Sequence, residues 1–137
     1  LVFATFSSVL VRRLGEVGLA TTGGALICAM LLAVAATERW PLAALAVLAM
    51  GTGFYMLHNT LQTNATQMAP EKRGTAVSQF AFCLFVGQSV GVAVAGLIAE
   101  RADTDNVLVI GAFGVLAVAL SFARLRHGRH RRIEISA

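Results

Sequence analysis

Hydrogen-bonding side chains cluster between residues 52 and 67, a stretch with no Asp, Glu, Lys or Arg. A helix turns about 100° per residue, so Leu57 and Leu61 fall on one side of this stretch and a set of polar residues on another. We call that set the polar face: Thr52, Tyr55, Asn59, Gln62, Thr63 and Thr66. Polar groups in hydrocarbon cost several kcal/mol each unless they are satisfied. The polar face must therefore meet protein or a water-filled path, which suggests a conduit.

Tyr55, Asn59 and Gln62 are the strongest candidates for a substrate path. Their amide and phenol groups both donate and accept hydrogen bonds, and they are neutral, so they suit the orientation of a partly apolar ligand. The alternative is hydrogen bonding between helices, worth about 0.6–2 kcal/mol per contact. The three threonines of the polar face are weaker candidates, because threonine can satisfy itself on the carbonyls of its own helix.

His58 is a candidate proton relay at the edge of the polar face. Histidine ionises near neutral pH. An ionisable residue inside a membrane is costly, so its presence there indicates a functional site. A neutral, hydrogen-bonded histidine is the alternative that its position favours. Cys28 and Cys83 lie in separate apolar runs without metal-ligand spacing, which indicates packing residues. With no nucleophile–base pair in view, we expect no enzyme, no cofactor and no metal site.

The composition predicts a membrane protein. Hydrophobic residues make up 57% of the chain and charged residues 13%, about half the charge of a soluble domain. Crossing the hydrocarbon core takes roughly 20 apolar residues, and four uncharged runs are long enough. We predict an all-α transmembrane bundle over residues 1–123, with helices at 17–37, 41–68, 74–99 and 107–123, and a basic tail at 124–137. The apolar run 1–11 is too short to span, and we interpret it as the end of a further helix in a fragment of a longer protein.

The distribution of basic residues predicts the orientation. Lys and Arg favour the cytoplasmic side of a membrane, and nine of them lie on one set of connections against Arg39 and Arg101 on the other. The nine are Arg12, Arg13, Lys72, Arg73, Arg124, Arg126, Arg129, Arg131 and Arg132. We therefore predict a multi-pass membrane protein with a cytoplasmic C-terminus. Attraction to anionic lipid explains the basic tail better than nucleic acid does. Lys72 and Arg73 either form a gating contact or only mark topology.

Small residues predict where helices approach closely, since van der Waals packing drives helix association in lipid. They recur at four-residue spacing on the first and third helices, as Ala20, Gly24 and Cys28 and as Gly87, Gly91 and Ala95. The fourth helix has Ser121 as its only polar residue. We expect it to be peripheral and exposed to lipid.

Several spacings together resemble the end of a major facilitator superfamily transporter. They are Gly51-x-Gly53, the polar run Thr60 to Thr66, Pro70-x-x-Arg73-Gly74-x-Ala76, and Gly87-x-x-x-Gly91-x-x-x-x-Gly96. The resemblance is closest to the twelve-helix drug and metabolite efflux branch of bacterial inner membranes. It covers the whole chain, as the last four helices plus the end of the eighth.

The resemblance implies roles for the helices. The second helix here would be the tenth of the family, which lines the cavity, and the first and fourth would be outer scaffold helices. The third would pack against the other half of the transporter. The family's Gly-x-x-x-Asp-Arg-x-Gly-Arg loop is only echoed by Arg12-Arg13-Leu14-Gly15-Glu16, which lacks the Asp. No Asp or Glu lies within a membrane run, so a coupling carboxylate would lie outside this chain, or His58 would take part.

The function implied is secondary active transport of small molecules, as efflux by proton antiport with alternating access. The expected partners are a small-molecule substrate, membrane lipids and the N-terminal remainder of the same transporter, with no nucleic acid. The alternative is a small four-helix structural or interaction protein of the membrane without transport activity.

Overall fold

The structure, a computed structural model, describes residues 2–67 and 70–135, with side chains for 14–67 and 70–125. The helices are α1 (Val2–Ala35), α2 (Trp40–Gln67), α3 (Arg73–Arg101) and α4 (Thr104–Ile135), and a 3-10 turn at Pro70–Lys72 precedes α3. Four segments are long and apolar enough to cross a membrane: Leu14–Ala35, Trp40–Gln67, Pro70–Arg101 and Thr104–Leu125. The prediction of an all-α fold with four membrane-length helices is confirmed. Met68, the predicted end of the second helix, lies outside the described residues.

A break in α1 separates its first turns from the membrane-length segment. Gly15 has φ 65° and ψ 176°, whereas its neighbours are helical. Glycine reaches this region because it has no Cβ, and other residues are strained there. Among the described residues beyond its own chain neighbours and helix backbone, no atom lies within 4 Å of the position that a Cβ on Gly15 would take. Backbone conformation, and not crowding, is therefore what requires glycine at this boundary.

The backbones of α1 and α2 touch where Gly23 faces Gly53. A Cβ on Gly23 would lie 2.7 Å from the carbonyl oxygen of Gly53, and a Cβ on Gly53 would lie 2.8 Å from the carbonyl oxygen of Gly23. These separations are shorter than carbon–oxygen contact allows, so both residues must be glycine for the helices to cross this closely. Such a crossing maximises van der Waals contact, which holds helices together in lipid.

The second close contact joins α1 to α4. Gly24 lies against Ala119, and a Cβ on Gly24 would overlap the Cβ of Ala119. Ala119 and Ala112 are fully buried. One side of α4 is therefore packed against α1, while Ile110, Phe113 and Val118 elsewhere on this helix are more than half exposed. Its alanines give it a smooth face, and α1 packs against that face on one side and against α2 on the other.

The core consequently centres on α1. Its buried residues come from three helices, as Ala20, Ile27, Leu57 and Ala119. In contrast, α3 has no buried residue in the part of it that the structure describes, and it touches α2 and α4 only lightly. No atom lies within 4 Å of a Cβ built at Gly87 or Gly91. Gly87 and Gly91 thus have no close neighbour among the described helices.

The connections between helices are short and place consecutive helices side by side. Between α1 and α2, the backbone N–H of Arg39 donates to Oγ1 of Thr37 at 3.3 Å. Pro41 follows in the first turn of α2, where the missing N–H costs no helical hydrogen bond. Only Ala102 and Asp103 separate α3 from α4. The first turn of α4 contains Asp105, whose charge suits a helix N-terminus.

Candidate functional site

One side of α2 is buried, and we call it the packed face. It consists of Ala46, Gly53, Met56, Leu57, Thr60 and Asn64. Positions Gly53, Met56 and Leu57 all lie close to Gly23 of α1. The packed face is therefore the surface through which α2 joins the core.

The polar face lies on a different side of the same helix. At about 100° per residue, its centre falls roughly 130° from the centre of the packed face. Tyr55 is 45% exposed whereas Leu57 is 8% exposed. Thr52 and Thr63 are also exposed, and Asn59, Gln62 and Thr66 are half-buried. The structure thus keeps the six predicted residues on one side of α2 and directs that side away from α1.

Two hydroxyl groups of α2 bond within their own helix. Thr66 Oγ1 donates to the carbonyl of Thr63 at 2.7 Å, and Thr60 Oγ1 donates to the carbonyl of Met56 at 2.8 Å. The amides of Asn59 and Gln62 differ from these threonines because an amide carries two donors and an acceptor. The amides are therefore the better equipped groups of the polar face for binding a ligand.

Two buried polar residues, Thr60 and Asn64, were not singled out from the sequence. Asn64 Nδ2 donates to the carbonyl of Thr60 at 2.9 Å, and both side chains are less than 10% exposed. Their signal was present in the spacing, because Thr60 follows Leu57 by three residues and Asn64 follows it by seven. Such intervals place residues on one helix side. Their local hydrogen bonds let polar residues occupy the packed face.

His58 lies between the polar face and α3. Its ring stacks on that of Phe54, with centroids 5.3 Å apart and planes at 14°. It also meets Phe80 of α3 at 5.5 Å with planes at 56°. The residue proposed as a proton relay is thus held in an aromatic cluster at the contact of α2 with α3.

Toward its other end, α2 borders an apolar groove of about 350 Å³. The groove is lined by Met30, Ala33, Thr37, Leu42, Leu45 and Ala46. Leu45, Thr52, Asn59 and Thr66 follow one another at seven-residue intervals, so they form one row along α2. This row is apolar beside the groove and polar from Thr52 onward.

The remaining predicted residues lie apart from the polar face. Lys72 and Arg73 are exposed where the 3-10 turn meets α3. Cys28 is buried in α1 and Cys83 is exposed on α3. Among the residues that the structure describes, no three His, Cys, Asp or Glu side chains are grouped to hold a metal ion. The side chains of the basic tail beyond Leu125 lie outside the described residues.

No family model, curated protein or solved structure matches this chain. The fold and the polar face are therefore the basis for any functional conclusion.

Proposed function

We propose that this chain forms the last four helices of a secondary active transporter of the major facilitator superfamily, which moves small molecules across the inner membrane. In this proposal α2 lines the transport path with its polar face. Transport is efflux by proton antiport with alternating access. The N-terminal helices of the same protein supply the opposite wall of the path.

The observation that carries the proposal is the position of the polar face. Asn59 and Gln62 are half-buried and Tyr55 is 45% exposed, on a side of α2 that turns away from α1. Both amides lie within Trp40–Gln67, a segment long and apolar enough to cross a membrane, and lipid around it would leave them unsatisfied. A water-filled path resolves that cost, and a helix lining the path is the simplest arrangement that provides one.

The packing of the other helices supports the same arrangement. α1 and α4, which the resemblance assigns to the outer scaffold, pack on each other through Gly24 and Ala119. α3 contacts this pair least and leaves Gly87 and Gly91 uncovered among the described helices. A surface of this kind suits contact with the other half of a transporter.

The row along α2 favours a substrate that is partly apolar. Leu45 and the groove beside it present hydrocarbon surface. Asn59 lies half the length of α2 further along and presents hydrogen-bonding groups without charge. Neutral donors and acceptors orient a ligand while apolar walls provide most of the contact area. In this proposal the C-terminus lies in the cytoplasm, and the nine-to-two distribution of Lys and Arg supports that orientation.

Thiol labelling from both sides of the membrane tests this proposal. Cys28→Ala and Cys83→Ala remove the native thiols from the complete protein, and single cysteines are then placed at Asn59, Gln62 and Leu57. A charged, membrane-impermeant thiol reagent is applied to right-side-out and to inside-out vesicles. Alternating access predicts that the cysteines at 59 and 62 react from both sides, because the path opens to each side in turn.

Leu57 is the matched control, since it lies on the packed face two residues before Asn59. A cysteine there should stay unreactive, because a buried thiol excludes water and reagent. Labelling of positions 59 and 62 from one side only, or from neither, would contradict transport. That result would favour the alternative, a four-helix protein whose polar face bonds to another helix.

A further inference from the structure

His58 is positioned to link α2 to α3. Its ring lies within 5.5 Å of rings on both helices, Phe54 of its own helix and Phe80 of α3. Contacts between α2 and α3 are few, and α3 has no buried residue in its described part. The His58–Phe80 contact is therefore a substantial part of a thin interface.

The surroundings of His58 contain no fixed charge. No Asp, Glu, Lys or Arg occurs at 41–67 of α2 or at 74–99 of α3, and none occurs at 17–37 of α1 or at 107–123 of α4. The other titratable side chains of these segments are Tyr55 on α2, Cys28 on α1 and Cys83 on α3. Histidine is the one among these types whose charge changes between about pH 5 and pH 8.

The charge of the ring decides which neighbours suit it. A neutral imidazole packs well between two phenyl rings. A charged imidazolium is better matched by hydrogen-bond acceptors and water than by apolar contacts. Gln62 lies one turn further along α2 on the polar face, and residues four apart on a helix are neighbours. Its amide oxygen can accept a hydrogen bond from an N–H of the charged ring when the two side chains turn toward each other.

We propose that His58 is a protonation-controlled latch between α2 and α3. When uncharged, the ring stacks on Phe54 and packs against the tilted ring of Phe80, which holds the two helices together. When protonated, it leaves Phe80 and turns toward Gln62, which frees α3 to move against α2. The latch rests on the proposed transport function. Through it, a proton that enters the path changes the packing between the helices that form the wall of the path.

Distance measurement between α2 and α3 tests the latch. Spin labels are attached to cysteines at Leu48 and Val90, which are 75% and 58% exposed. The complete protein, with Cys28 and Cys83 replaced by alanine, is reconstituted in lipid nanodiscs and measured by pulsed electron resonance at about pH 8 and at about pH 5.5. We expect two distance populations whose ratio changes roughly fivefold or more between these conditions.

Two variants separate the latch from general effects of pH. His58→Phe keeps an aromatic ring without a titratable nitrogen, so its distances should stay at the high-pH distribution throughout. Phe80→Leu removes the ring that His58 meets on α3, so its distances at about pH 8 should shift toward the low-pH distribution. A pH response that persists in His58→Phe, or distances in the parent protein that ignore pH, would overturn the latch.

The distance measurement requires neither a substrate nor transport activity. A protein that fails the two-sided labelling but shows the His58-dependent change retains the latch without the proposed function. A protein that passes the labelling but shows no such change retains the proposed function without the latch.

Discussion

The packed face and the polar face of α2 carry similar side chains in different surroundings. Thr60 and Asn64 on the packed face are buried, and each donates to a carbonyl of its own helix. Asn59 and Gln62 on the polar face are half-buried and turn away from α1. The difference shows that residue type alone does not identify a binding surface. The position of a side chain relative to the helix contact decides whether its polarity serves packing or a path.

Glycine substitution should produce the largest difference between the two sides. Gly53→Leu would force α1 and α2 apart, because even a Cβ there lies 2.8 Å from the carbonyl oxygen of Gly23. Overpacking of this kind costs about 1–3 kcal/mol and sometimes more. We expect a strong loss of folded protein and of thermal stability in detergent, measured by size-exclusion chromatography after heating.

Gly51→Leu is the control for that substitution. Gly51 lies on the same helix, and no atom is found within 4 Å of its Cβ position. A leucine there should leave the melting temperature close to that of the parent protein. Equal damage from both variants would mean that the loss reflects glycine flexibility in α2 and not the crossing with α1.

The next largest effect is a difference in stability between glycine substitutions on α1 and on α3. A Cβ on Gly24 would already collide with Ala119, whereas a Cβ on Gly91 would meet no atom of the other described helices within 4 Å. If α3 contacts another part of the protein, as we propose, Gly91→Leu should spare the folding of these four helices. It should still weaken association with that part. Stability and association are read separately, by thermal melting and by cross-linking of α3 to the N-terminal helices.

The four helices could be predicted from the sequence because the length of an uncharged run is a direct measure of what crosses hydrocarbon. Their ends were less predictable, since hydrogen bonding in a helix continues past the last apolar residue. α3 therefore includes Arg101, and α4 continues to Ile135, well beyond the predicted end at residue 123. The polar face also followed from periodicity alone, as six residues that the structure keeps on one side of α2.

The partners of the helices could not be predicted in the same way. Four-residue spacing of small residues shows that a helix can approach another closely, but it does not say which one. Gly24 meets α4, while the similar row at Gly87 and Gly91 meets none of the described helices. Thr60 and Asn64 were missed for the same reason. Their spacing put them on the side of Gly53 and Leu57, but the sequence did not show that this side faces α1.

Amide substitutions should separate stability from function. Asn59→Leu removes a polar group that the core does not use, so we expect little change in melting temperature and a loss of transport. Asn64→Leu removes a buried amide whose bond partner, the carbonyl of Thr60, lies in its own helix. We expect a stability loss of about 1 kcal/mol and retained transport. A loss of stability in Asn59→Leu together with a loss of transport in Asn64→Leu would contradict the distinction between the two faces.

The smallest effect is expected for Thr60→Val. The hydroxyl of Thr60 donates to the carbonyl of Met56 at 2.8 Å, within one helix, so no other helix loses a partner when it is removed. Valine has nearly the same shape, and its methyl group suits the packed face. The net worth of such a bond is about 0.5–1.5 kcal/mol, and relief from burying a polar group offsets it. We expect a melting temperature within a few degrees of the parent value.

Thr63→Val, on the exposed side, is the control. A large loss for Thr60→Val alone would show that this hydroxyl bonds across the contact with α1, and the packed face would then be held by a polar link as well as by close packing.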